Sequence, residues 1–191
     1  MPRASLRPCA YPGCTNLVSY GRCEKHRHDF DYYPKMHKPI PLNVFMVVGP
    51  PGSGKNTFVE SHKNEFDILI DLDIIKSEIG GLPKYSHFTK DIVDRSIQKR
   101  NSIIERMQNI QNSGQQLWFL IGAPDRADRE KWKTILRPVC VYVISCPLEI
   151  CFRRIEARNI PTEGELKKAA ERWFQDYEPI PGEIIINSAE E

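Results

Sequence analysis

VFMVVGPPGSGKNT, residues 44–57, decides how the rest of this 191-residue sequence is read. Val44 to Val48 is a continuous apolar run, the pattern of a short strand buried on both faces. It ends in a turn built from Gly49, Gly52 and Gly54 around two prolines, and from Lys55 onward the pattern becomes helical. Strand, glycine turn, lysine and helix in this order match G-x-x-x-x-G-K. Small residues there let successive backbone N–H groups point at phosphate oxygens, the helix N-terminus adds positive potential, and the lysine reaches the outer phosphates. Gly49, Gly52, Ser53, Gly54, Lys55, Asn56 and Thr57 are therefore the expected nucleotide-binding residues, with ATP as the nucleotide.

The residue after the lysine is ordinarily Ser or Thr, whose hydroxyl binds Mg²⁺. Here it is Asn56, which still offers a carbonyl oxygen, and Thr57 follows. Outward from this loop, apolar runs alternate with helical stretches. Further strands are predicted at 68–73, 117–122, 139–145 and 183–187, and helices at 89–112, 127–136, 148–158 and 163–177. The last helix begins with a capping-box pair, Thr162 and Glu165. Such alternation implies an α/β fold, a five-stranded parallel sheet with helices on both faces.

The second strand runs into Asp71 and Asp73. Strand C-termini face the ligand crevice in such sheets, so these acids are expected beside the glycine loop. Asp73 is the candidate base for an acceptor hydroxyl, and Asp71 with Asn56 the candidate magnesium ligands. Lys76, one helical turn after Asp73, is a candidate contact for a substrate phosphate. GPPGSGKNT followed by a strand ending in D-x-x-K resembles the polynucleotide-kinase and zeta-toxin branch of P-loop kinases, an AAA-type ATP-binding group. That resemblance covers residues 44–187 and implies an ATP-dependent phosphotransferase. It places Asp73 at the position of the family's base and Lys76 where arginine is more usual.

Arg154 and Arg158, in CFRRIEARN, lie four residues apart and so share a helix face. The same kinases carry an R-x-x-x-R lid at this point, which makes both residues candidates for stabilising the transferring phosphoryl group. Arg126 and Arg129, in APDRADRE, resemble the family's substrate-contacting arginines. Gly122 and Ala123 end the third strand where these enzymes usually place an acid for Mg²⁺, and Asp125 comes three residues later.

The front of the chain is different in kind. Residues 1–27 hold Cys9, Cys14, Cys23 and His26, spaced C-x4-C-x8-C-x2-H. Thiolate and imidazole donors at such intervals fit a closed tetrahedral Zn²⁺ site, and the metal would supply the folding energy that so short a segment lacks. The phrasing PCAYPGCTNLVSYGRCEKH resembles the zinc-binding segment of bacteriophage HNH endonucleases. The spaced His-Asn-His core is missing, so no HNH nuclease activity is expected, while a phage origin and a nucleic acid partner are. A Pro-, His- and aromatic-rich linker spans 28–43, and the kinase-like domain 44–191. Residues 1–43 carry seven Lys/Arg against three Asp/Glu, suited to a phosphate backbone, whereas the remainder carries 20 against 22.

No apolar stretch approaches the roughly 20 residues needed to cross a bilayer, so no membrane partner is expected. Cys140, Cys146 and Cys151 read as core residues of a reduced compartment, which points to the cytoplasm. Phosphorylation of nucleic acid 5′-hydroxyl ends is the leading expectation. A small-metabolite or nucleotide kinase and a nucleic acid-binding accessory ATPase are the alternatives. Metal analysis of the purified chain should find one bound zinc, lost in a Cys14→Ser variant; a metal-free wild-type protein would overturn the zinc assignment.

Overall fold

The computed structural model describes residues 7–8, 16–18, 43–107 and 115–188. The chain divides into two compact units, Met1–Lys38 and Pro39–Glu191. In the first, β1 (Arg7–Pro8) pairs antiparallel with β2 (Leu17–Val18), Arg7 opposite Val18 and Pro8 opposite Leu17. The four expected zinc ligands lie outside the described residues, as does nearly all of the expected linker. Among the described residues no group of three or more His, Cys, Asp or Glu side chains is placed to hold a metal.

The second unit is built on β3 (Val44–Val48), β4 (Ile68–Ile70), β5 (Leu117–Ile121), β6 (Cys140–Ser145) and β7 (Ile184–Asn187). These pair in the order β4-β5-β3-β6-β7, every neighbour parallel. The first of them is central, with Met46 opposite both Phe119 and Val141. From β3 the chain crosses to β4, returns to β5, then passes to β6 and β7 on the other side. The C-terminal end of β3 is thus the topological switch point, where ligands of such sheets bind.

Alternation along the strands assigns the two faces. Phe45 and Val47 share one face with Trp118, Leu120 and Ile144, over which α1 (Lys55–His62) lays Val59. Phe45 stacks on Trp118 at 4.7 Å between centroids, and Phe58 of α1 meets the Trp118 ring edge-on. On the other face Phe119 packs against Trp132 of α4 (Arg126–Leu136) at 4.7 Å. Helices α2 (Leu72–Gly80), α3 (Lys90–Met107), α5 (Leu148–Glu156) and α6 (Glu163–Asp176) complete the unit.

Local details depart from the sequence expectations at Asp71 and at Thr162. The second strand stops at Ile70, because Asp71 turns the chain into α2 and accepts the Asp73 N–H at 2.9 Å as its N-cap. Asp125 caps α4 in the same way through the Asp128 N–H, so it does not replace the acid missing after β5. The capping box of α6 does not form. The Thr162 hydroxyl donates instead to the Tyr85 carbonyl at 2.6 Å, which ties the α2–α3 loop to the start of α6.

Arg129 is the buried hinge pin of the second unit. Fully buried, it pairs through Nε with Glu183 at 2.9 Å, donates to the carbonyls of Ala123, Pro124 and Glu178, and lies over the Tyr177 ring. A guanidinium out of water is tolerable only with its donors satisfied in this way. Arg129→Ala should lower the unfolding free energy by about 3–5 kcal/mol in urea melts, since it strands the Glu183 charge. The exposed Arg126→Ala should change it by less than about 0.5 kcal/mol; equal effects would show that Arg129 is not the pin.

Candidate phosphotransfer site

The loop after β3 is shaped by close approaches that exclude side chains. At Gly52 φ is 81°, and a Cβ there would stand 2.5 Å from the Cys151 carbonyl oxygen on α5. Gly54, at φ 94°, is the N-cap of α1, whose first-turn amides have no helical partners. Ser53 is fully buried beneath the loop and its hydroxyl has no hydrogen-bond partner. Lys55 folds back over the loop, donating to the carbonyls of Gly49 and Pro50 at 2.7 Å each. A bound phosphate chain offers its ammonium stronger acceptors in the same place.

A cavity of about 270 Å³ opens at this loop. Gly49, Gly52, Gly54, Lys55, Asn56 and Thr57 form one wall, and Asp71 and Asp73 another. Asp71 is nearly buried. Its Oδ2 accepts from Asn56 Nδ2 at 2.9 Å and lies 3.9 Å from Lys84 Nζ. Asp73 is more open and pairs with Lys76 at 2.6 Å, which orients its carboxylate. The donor set around Asp71 and Asn56, oxygen-rich and next to the cradle, fits a hard cation such as Mg²⁺.

Of the remaining wall only Arg158 belongs to a sequence motif. Tyr85, held at φ 65° in the α2–α3 loop, lines the cavity together with Arg100 of α3 and Leu166 of α6. The Arg158 guanidinium carbon lies over the Tyr85 ring, 4.9 Å from its centroid, and the residue lines the cavity as well. Arg100 stacks on Trp132 at 4.8 Å. Two permanent cations therefore stand in the same space as Asp73.

The other predicted residues sit elsewhere. Lys76 is outside the lining, held by Asp73 and facing Phe88. Arg126 is exposed on α4, and Arg129 has its Nε and both Nη committed in the core, which corrects the expectation that it contacts substrate. Arg154 also departs from its expected place. It bonds to Ser188 and to the Ser53 carbonyl behind the loop instead of lining the cavity.

A parallel sheet with a glycine phosphate cradle at its switch point defines a P-loop domain of the kinase type. The chain belongs to the AAA domain family, which matches residues 44–178. Among solved structures, the Pnkp1/Rnl/Hen1 RNA repair complex is similar with a TM-score of 0.51 and 18% identity, covering 78% of this chain and 51% of that one. A sugar kinase from Janibacter sp. gives 0.46 and 20%, covering 78% and 86%. A gluconokinase from Sinorhizobium meliloti gives 0.47 and 16%, covering 81% and 86%. At these identities the likeness concerns the fold alone. No curated protein matches the sequence.

Burial lowers the Lys55 pKa to about 8, against the pull of Asp71 and Asp73 in the other direction. Bound phosphates favour the charged lysine, so above pH 8 binding must take up a proton. ATP affinity should hold steady below about pH 8 and fall above it, by at most about tenfold per pH unit. A Lys55→Arg variant should flatten the profile, because guanidinium stays charged; an unchanged slope would assign the titration to another group.

Proposed function

We propose that this protein transfers the γ-phosphoryl group of ATP to a hydroxyl, with the 5′-hydroxyl end of a nucleic acid as acceptor. The observation carrying the reaction class is the shared cavity in which the phosphate cradle and Lys55 meet the Asp73 carboxylate. Asp73 accepts the hydroxyl proton as the acceptor oxygen bonds to the γ-phosphorus, and the bond to the β–γ bridging oxygen breaks to release ADP. Arg158 and Lys55 face the charge that spreads over the transferring group. Magnesium, held by Asp71 and Asn56 with water, would neutralise charge between the outer phosphates.

Three features favour a nucleic acid end. Arg100 and Arg158 offer cations to a phosphodiester beside the reacting hydroxyl, with the aromatic Tyr85 lining the same space. The basic excess in residues 1–43 adds attraction for a polyanion. The fold also resembles that of a chain in an RNA repair complex. The size of the cavity, about 270 Å³, supports a second reading, a kinase for a nucleotide or other small metabolite.

The test is transfer of labelled γ-phosphate from ATP with Mg²⁺, offered to a 5′-hydroxyl oligonucleotide and separately to nucleosides, nucleotides and sugars. The oligonucleotide should become labelled, and Asp73→Asn should cut the rate by about 10²–10⁴ while ATP binding persists. Label only on a small acceptor would move the assignment to a metabolite kinase. ATP binding without transfer to any acceptor would favour an accessory ATPase.

A further inference from the structure

Arg154 and Ser188 stay out of the cavity, yet their polar contacts converge on the phosphate cradle from behind. Arg154 Nη2 donates to the Ser188 carbonyl at 2.7 Å. Its Nη1 lies 3.2 Å from the Ser188 hydroxyl, 3.4 Å from the Ser53 carbonyl and 3.6 Å from Cys146 Sγ. The Ser188 hydroxyl donates in turn to the same Ser53 carbonyl. Its own amide bonds to Ser145 at 2.8 Å, one step beyond the β6–β7 ladder. One loop carbonyl thus has both its lone pairs engaged from outside the loop.

A trans peptide unit is planar, so its C=O and the following N–H point in opposite directions. Anchoring the Ser53 carbonyl toward Arg154 and Ser188, neither of which lines the cavity that Gly54 lines, therefore turns the Gly54 N–H away from both of them. A Cβ on Gly54 would stand 3.4 Å from Arg154 Nη1 and 3.6 Å from Ser188 Oγ, in ordinary contact, so both clamp residues lie directly beside this glycine. The clamp joins α5 to the end of the edge strand β7, both distant in sequence from the loop.

We propose that Arg154 and Ser188 are positioning residues that aim the Gly54 amide into the cradle and so set its affinity for a phosphate chain. This rests on the reading of the loop as a phosphate cradle. It assigns Arg154 a task on the far side of the loop from the transferring group.

The experiment uses the full chain and two probes, ATP and inorganic tripolyphosphate, the second of which touches no base or sugar subsite. Ser188→Ala and Arg154→Lys should each weaken both probes by about tenfold, the loss of one well-aimed donor to a charged oxygen. Ser188→Thr, which keeps the hydroxyl, should restore binding. The Gly54 amide resonance should shift in Ser188→Ala and return in Ser188→Thr, a readout that general destabilisation does not produce. If wild-type protein binds neither probe, the cradle assignment itself fails. If wild type binds both, and Ser188→Ala and Arg154→Lys bind within about twofold of it, the clamp is overturned and the cradle stands.

Discussion

Strand β3 lies between two parallel neighbours with helices on both faces, and the chain can leave it only through the crowded end of the sheet. That constraint governs everything around the site. Side chains at Gly52 would strike the α5 backbone, so the loop must be glycine there, and its amides are left unshielded. The helix that follows buries Val59 on the sheet, fixing its N-terminus against the same loop. A phosphate site arises where packing forbids side chains and hydrogen bonding leaves donors over.

The same economy explains how the unit manages without an acid after β5. Trp173 Nε1 claims the Gly122 carbonyl at 2.7 Å, so the end of that strand is committed to packing α6. A carboxylate stands one strand over instead, at Asp71 after β4. Ile70 pairs with Phe119 there, and neighbouring strands are about 4.8 Å apart. Asn56, where a hydroxyl would ordinarily stand, reaches that distance with its amide and holds Asp71 in place. The two departures from the usual motif thus meet in one hydrogen bond, between the amide at 56 and the acid at 71.

Much of the architecture was written in short-range pattern. The five parallel strands, the loop and the helices of 44–187 follow from apolar runs, glycines and 3.6-residue periodicity, which are local properties. Differences arise where a polar side chain has more than one backbone group to bond, near or far in sequence. Thr162 looked like a capping-box serine-type residue, but the Tyr85 carbonyl, far off in sequence, took its hydroxyl. Asp71, placed at the end of a strand by its apolar neighbours, proved to be the cap of the next helix. Arg100 carries no motif at all, yet α3 brings it to the same cavity wall as Leu120 and Gly122.

The arginines show why charge in a motif is a poor guide to position. Four stood out by spacing, and the fold sorts them by how much of the guanidinium other groups claim. Arg126 is exposed, Arg129 has buried acceptors for its Nε and both Nη, and Arg154 has three oxygens behind the cradle. Arg158 is exposed, its guanidinium carbon lies over the Tyr85 ring, and it lines the cavity, where its charge can meet an incoming anion. A residue kept for ligand needs unspent donors at the cavity, and sequence spacing records only which face of a helix a side chain starts from. Glu183 and Ser188, which consume Arg129 and Arg154, belong to the last strand and its approaches. The chain's final described segment therefore decides which of the earlier cations remain available for chemistry.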